Sequence, residues 1–401
     1  MIRFRLCCAF LIVVAGLGAQ PESRFSAARL ERMKVALGEK ITRHEYAGGN
    51  ALILCDGQTV FAESFGYQDL EAGTPMQPDT IFWIASMTKP VTGVAVMMLY
   101  EEGKFLLDEP VAKYLPAFAN VQVLATEDGE QTATVPAESP ITIRQLLTHT
   151  SGLFNYKGYT AANLNVQPTL EAAVDTIASV PLAHQPGRAW RYGWSYDVLA
   201  RLVEVWSGQS YDAFLAEHIF QPLKMVDTGF FIPADKAGRM AKGYKLNAQG
   251  EVEALATQRP VPDHAPSNPS GSGGLYGTIG DFGRFAQMLL NGGELDGQRL
   301  LSPHTVAYML TSQVPPDVMP PDGPNGRKGF GMGLGGYVLV DPAKSENLGI
   351  KGEYNGAGLG GTYYWIDPKN KLAGLWFTQR YPQVQSELHR FKVLTYQALE
   401  N

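Results

Sequence analysis

The sequence predicts an α+β chain: an antiparallel sheet built from both chain ends, flanked by helices, with an inserted, mainly helical lobe. Three observations lead there. Strand-like runs bounded by turn residues lie near both ends. Helix-like apolar spacing dominates the middle. The chain is 401 residues long, 45% apolar and 18% charged, enough to bury a large core. No internal repeat is visible, which argues against solenoids and propellers. The 33 Lys and Arg against 39 Asp and Glu form no long basic run, so no nucleic-acid partner is expected.

The elements follow in order. Residues 1–5 are a short basic start, 6–14 are apolar and 15–19 are small, so 1–19 read as a secretory signal peptide. The expected location is periplasmic or secreted. That run is too short to cross a bilayer stably, so no stable membrane span is expected after its removal. Losing Arg3 and Arg5 takes the net charge from −6 to −8. Losing Cys7 and Cys8 leaves Cys55 alone, so no internal disulfide forms despite an oxidising destination. Cys55 ends an apolar run and reads as a buried, inert thiol.

Residues 24–42 carry helical spacing. Runs 51–55 and 59–65 flank Asp56-Gly57, a hairpin turn. Residues 80–85 lead into Ser86-Met87-Thr88-Lys89, followed by a buried helix over 91–107. Further helices are predicted at 143–148, 196–207 and 280–291, the last with Asp281 at its start and Gly292-Gly293 after it. Strands at 362–368 and 372–377 and a closing helix at 384–399 complete the chain. The expected organisation is one domain at 20–401: a sheet lobe over about 24–85 and 270–401, and a helical lobe over about 86–269. The active cleft would lie between them, edged by the Pro- and Gly-rich loops 127–140 and 315–328.

Ser86 and Lys89 form the only Ser-x-x-Lys in the chain. At a helix start, i and i+3 share a face, so the amine can reach the hydroxyl. A desolvated Lys can take that proton and activate the oxygen. The motif sits between an apolar run and a buried helix, where an unused Lys is costly. Tyr192 lies on a loop after Pro186-Gly187 and before a helix; a phenol there can relay protons or simply pack. His149 is read as satisfying backbone groups at a helix end. Gly356, Gly358 and Gly361 form a G-x-G-x-x-G, but a strand rather than a helix follows, so a dinucleotide site is rejected. Glycines beside a strand suit close approach of a ligand to backbone N–H groups. No G-x-S-x-G, H-E-x-x-H or Cys/His cluster occurs, so neither metal nor cofactor is expected.

Several segments together resemble the beta-lactamase-related serine hydrolases: class C beta-lactamases, D-alanyl-D-alanine carboxypeptidases and family VIII carboxylesterases. They are Ser86-Met87-Thr88-Lys89; Leu146-Leu147-Thr148-His149-Thr150-Ser151-Gly152; Tyr192-Gly193-Trp194; Gly271-Ser272-Gly273-Gly274-Leu275; and Gly361-Thr362-Tyr363-Tyr364-Trp365-Ile366-Asp367-Pro368. The resemblance implies a beta-lactamase/transpeptidase-like fold and an acyl-enzyme on Ser86, with Lys89 and Tyr192 as proton-transfer groups. It implies an oxyanion hole from the N–H groups of Ser86 and Leu359. Trp194 stands where peptidases have Asn. Gly356-Ala357-Gly358 stands where they have Lys-Thr-Gly, or esterases Trp-Gly-Gly. Trp194, Gly356, Ala357, Gly358 and Tyr156 are the expected substrate-binding residues. With no cation in the third motif, the resemblance points to a carboxylesterase on small neutral esters. A beta-lactamase or D-alanyl-D-alanine carboxypeptidase, and a non-catalytic binding relative, remain as alternatives. The expected partner is a small-molecule ester or amide.

Overall fold

A computed structural model describes residues 24–125, 133–155, 166–382 and 385–400. Residues 1–19, expected to be a signal peptide, Tyr156 and residues 127–132 of the loop expected to edge the cleft lie outside the described residues.

The alternation in the terminal segments builds one eight-stranded sheet. Its N-terminal strands are β1 (Gly48–Cys55), β2 (Gln58–Asp69) and β3 (Thr74–Pro75). Its C-terminal strands are β4 (Phe330–Met332), β5 (Tyr337–Leu339), β6 (Tyr354–Ala357), β7 (Thr362–Asp367) and β8 (Leu372–Phe377). The spatial order is β4-β5-β6-β7-β8-β1-β2-β3, with every pair antiparallel. Both chain ends therefore meet at the β8–β1 seam, as the sequence predicts.

Strand periodicity sorts side chains to two faces. Ala51, Ile53 and Cys55 of β1 join Tyr363, Trp365 and Trp376 in one core. Against it lie the first helix, α1 (Ala27–Thr42), and the last, here called α7 (Gln385–Ala398). Leu52 and Leu54 point the other way, into the larger core. Gly374 is required where it stands: a Cβ there would sit 2.1 Å from the ring of Trp365, its cross-strand neighbour.

The larger core is closed by α2 (Thr88–Glu101), α3 (Ile143–Leu147), α4 (Leu170–Ser179), α5 (Ser195–Ser207) and α6 (Ile279–Leu290). Caps set several starts. Thr142 forms a capping box with Gln145, and Thr278 caps α6 through the Asp281 N–H. The buried helix expected over 91–107 starts and ends earlier. Pro90 fits its first turn, where a missing N–H costs nothing. Gly103, at φ 72°, turns the chain away after Glu101.

Candidate active site

Ser86 sits on a single 3₁₀ turn, Ala85–Met87, that runs directly into α2. Ala85 holds a left-handed φ of 45°, a conformation that costs a non-glycine residue and here turns the strand-like run into the helix. The turn is fastened by Thr88, whose Oγ1 donates to the Ala85 carbonyl at 2.7 Å and accepts from the Leu275 N–H at 3.1 Å. Residues 271–275 are stitched to α2 along their length. Thr92 Oγ1 donates to the Gly271 carbonyl at 2.8 Å, and Trp83 Nε1 to the Gly273 carbonyl at 2.7 Å.

Lys89 lies one helical turn from Ser86 and is 5% exposed. Its Nζ stands 3.3 Å from Ser86 Oγ and donates to the Ser272 carbonyl at 2.7 Å. It also lies 4.6 Å from the Tyr192 ring centroid and 5.9 Å from that of Tyr196. Among the described residues, no carboxylate touches it. Asp197 is one bond removed, accepting from Ser270 Oγ at 2.6 Å, from the Ser272 N–H at 3.3 Å and from Ser272 Oγ. Burial draws the Lys89 ammonium down to about 7, against the pull of Asp197. The amine is thus part-neutral near neutral pH.

Tyr192 Oη donates to Ser86 Oγ at 2.9 Å. Burial pushes this phenol up to about 12, opposed by the Ser86 bond. The loop that carries it needs Gly193, where a Cβ would lie 2.3 Å from the Leu153 carbonyl. His149, on the turn after α3, packs against Tyr192 with ring centroids 4.6 Å apart and planes tilted by 32°. It does not satisfy backbone groups, as the sequence suggests: both ring nitrogens are buried without a hydrogen-bond partner among the described residues. Burial, and then Lys89, hold it well below its ordinary pKa, so it is a neutral wall behind the phenol.

The glycine segment closes the opposite side. Gly358 packs so near the Ser86 turn that a Cβ would stand 2.3 Å from the Ile84 carbonyl. Its own N–H is spent on the Thr362 carbonyl at 2.8 Å. Among the described residues, the N–H groups of Ser86 and Leu359 have no acceptor. Leu359 is 56% exposed. Gly356 abuts the Tyr364 ring on the larger-core face, while Ala357 packs toward the other core.

Trp194 is half-buried against the larger core at the start of α5, and Tyr156 lies outside the described residues. The 315–328 loop does border Tyr192: Val318 accepts from the Trp190 N–H at 3.0 Å, and Val318 and Met319 join Tyr192 around one apolar cluster. It also delivers a cation that the motif analysis missed. Arg327 donates from Nη1 to Asn355 Oδ1 at 3.1 Å, one residue before Gly356, and lies 4.6 Å from the Tyr337 ring centroid.

A hydroxyl held between a part-neutral amine and a phenol is an arrangement that can activate a serine for acyl transfer, the chemistry of the serine hydrolase class. The comparisons agree. The Beta-lactamase family model matches residues 28–397, and the chain belongs to that family. It is 37% identical over 334 residues to Protein Rv1367c of Mycobacterium tuberculosis, covering 80% of this chain and 82% of that one. It is 30% identical over 400 residues to Esterase EstB of Burkholderia gladioli, covering 92% of each. Among solved structures, simvastatin synthase LovD from Aspergillus terreus superposes with a TM-score of 0.77 at 25% identity, covering 94% of this chain and 98% of that one. The protein is a hydrolase of this family in the general sense.

Proposed function

We propose that the protein is a carboxylesterase working through an acyl-enzyme on Ser86. The observation that carries this reading is the Ser86 hydroxyl bonded at once to Lys89 and Tyr192, with no carboxylate on the amine among the described residues. Neutral Lys89 takes the Ser86 proton as Oγ attacks the ester carbonyl carbon. The oxyanion accepts from the N–H groups of Ser86 and Leu359. Collapse breaks the bond to the alcohol oxygen, which takes a proton from Tyr192, and Lys89 returns one to the phenolate. Water then attacks the acyl carbon, gives its proton through the same pair, and releases the acid and free Ser86.

Small neutral esters suit Gly356-Ala357-Gly358, which offers no cation of its own to a substrate carboxylate. The likeness to EstB supports an ester. Arg327 favours a second reading, a penicillin-recognising hydrolase, because its guanidinium lies beside Asn355 without an ion-pair partner among the described residues. Fluorophosphonate labelling followed by peptide mass mapping tests the nucleophile. The adduct is expected on Ser86; one on Ser151 or Ser272 overturns the assignment. Parallel turnover of p-nitrophenyl butyrate and nitrocefin decides between ester and beta-lactam.

A further inference from the structure

A cavity of about 520 Å³ opens beside the nucleophile turn and is used by no step above. Its walls include Trp83, Tyr381, Leu255, Val261, Gln379 and Arg259. Trp83 lies three residues before Ser86. Its indole is tied to the Gly273 carbonyl, next to the Ser272 carbonyl that holds Lys89. Its own carbonyl accepts from Gln379 Nε2 at 3.4 Å. On the far side, a Cβ at Gly360, the residue after Leu359, would stand 3.0 Å from both Gln379 Nε2 and Tyr381 Oη. The cavity is therefore walled by residues that adjoin the segments carrying the two free N–H groups, Trp83 on the Ser86 side and Gln379 and Tyr381 on the Leu359 side.

The lining specifies what fits. Trp83 and Tyr381 present near-parallel rings, 15° apart with centroids 6.2 Å apart. Flat faces of this kind favour a flat, unsaturated guest by offset or edge stacking. Arg259 is fixed in place: its guanidinium lies 4.0 Å from the Trp83 ring centroid, and Nε donates to Tyr276 Oη at 3.0 Å. Its Nη groups have no acceptor among the described residues, and it makes no ion pair there. The neighbouring Lys242 is different, paired with Glu71 at 2.8 Å and Asp69 at 3.6 Å. A guanidinium that is oriented but not neutralised, at the rim of an aromatic cavity, matches a carboxylate bidentately.

We propose that this cavity binds the remote end of the substrate, and that this end is a flat aromatic or conjugated group bearing a carboxylate. The proposal rests on the esterase reading and extends it. The reacting ester is neutral, while the charge lies on the far side of the oxyanion loop, away from the third motif. A volume of about 520 Å³ is in the range of pockets for drug-sized ligands and exceeds what a short acyl chain fills.

Binding to Ser86→Ala protein tests this without requiring turnover, so failure of the esterase reading and failure of the subsite are read separately. The probes are 2-naphthoate and its neutral amide, 2-naphthamide, followed by calorimetry and tryptophan fluorescence. Naphthoate is expected to bind at least tenfold more tightly than naphthamide and to quench tryptophan emission. Arg259→Gln in the same background is expected to erase that preference while leaving naphthamide affinity within threefold. Arg259 is exposed, so this variant folds. Trp83→Leu is expected to weaken both probes. Equal affinity for acid and amide in the Ser86→Ala protein, or a preference that survives Arg259→Gln, overturns the proposal.

Discussion

Two buried lysines in this molecule meet the cost of burial in opposite ways. Lys392 on α7 is 1% exposed and is ion-paired with Glu353, itself fully buried. Glu353 Oε1 also accepts from Asn355 Nδ2 at 3.2 Å. Burial pulls Lys392 down and pushes Glu353 up, and each opposes the other's shift. Lys89 has no such partner among the described residues. Its contacts are a carbonyl, a hydroxyl and the face of a phenol. Burial alone therefore does not create a base. A lysine is suited to that role, as proposed for Lys89, when it is desolvated with its carboxylate held a bond away, as Asp197 is here through Ser272.

The sharpest way to break this contrast is to remove each amine in turn. Lys89→Met is expected to lower kcat by about 10²–10⁴, the range for loss of a general base. It is also expected to raise Tm. The sign follows from linkage: the Lys89 pKa in the fold lies below its unfolded value of 10.5, so the buried charge penalises the native state fully below about 7 and not at all above 10.5. The gain in Tm should therefore be largest in acid and vanish toward pH 10.5. Lys392→Met leaves Glu353 buried without its partner and is expected to cost about 3–5 kcal/mol of stability, while the folded fraction keeps its turnover. Thermal melts and kcat measured on the parent and the two variants, each at two pH values, check both claims. A Lys392→Met protein that melts like its parent but has lost activity would reverse the roles.

Tyr192 tests whether the site acts as a unit. If phenol and amine share one proton path, Tyr192→Phe lowers kcat by about 10²–10⁴, and adding Lys89→Ala makes it little worse. Strictly additive losses would put the two groups in separate steps. A smaller effect is expected in substrate choice. Short acyl esters should be cleaved with kcat/KM at least about 10²-fold above penicillins, roughly 2.7 kcal/mol in transition-state stabilisation. Arg327→Gln should leave that gap unchanged if the ester reading is right. A gap that widens would show Arg327 serving a carboxylate and promote the penicillin reading.

What the sequence revealed and what it hid divides along contact distance. Ser86 and Lys89 were legible because a helix start brings i and i+3 together whatever surrounds them. The two-ended sheet was legible because strand alternation is local. The rest depends on segments far apart in the chain. Ser272, whose carbonyl holds Lys89, lies 183 residues away and carried a signal only through its glycine-rich motif. Arg327 arrives on a loop that charge patterning alone leaves as a solvated edge. Trp194, expected from Tyr192-Gly193-Trp194 to bind substrate, is half-buried and packs at the start of α5 against the larger core, a contact that motif position does not report. His149 was read as a backbone partner because it ends a helix, yet the space beside it is filled by the Tyr192 and Tyr196 rings. Periodicity reports which face a residue occupies, not what a distant loop brings to that face.

Asp197 gives the finest test of the contrast between the two lysines. Its carboxylate raises Lys89 against the larger downward effect of burial, acting through space and through the Ser272 bonds rather than by contact. Lys89 must lose its proton to act, so kcat/KM should rise with pH through an apparent pKa of about 7 and then level. Removing the charge with Asp197→Asn takes away the one group that raises Lys89, so the acidic limb should move to lower pH. At pH 6 the variant should then retain a larger fraction of its own plateau than the parent does, even if the plateau itself is lower. Position and height separate two roles: a merely structural loss lowers the plateau and leaves the limb in place, whereas loss of a positioning charge moves the limb. A limb that moves toward higher pH would mean that Asp197 disfavours the charged amine, and that the carboxylate is not what distinguishes Lys89 from an ordinary buried lysine.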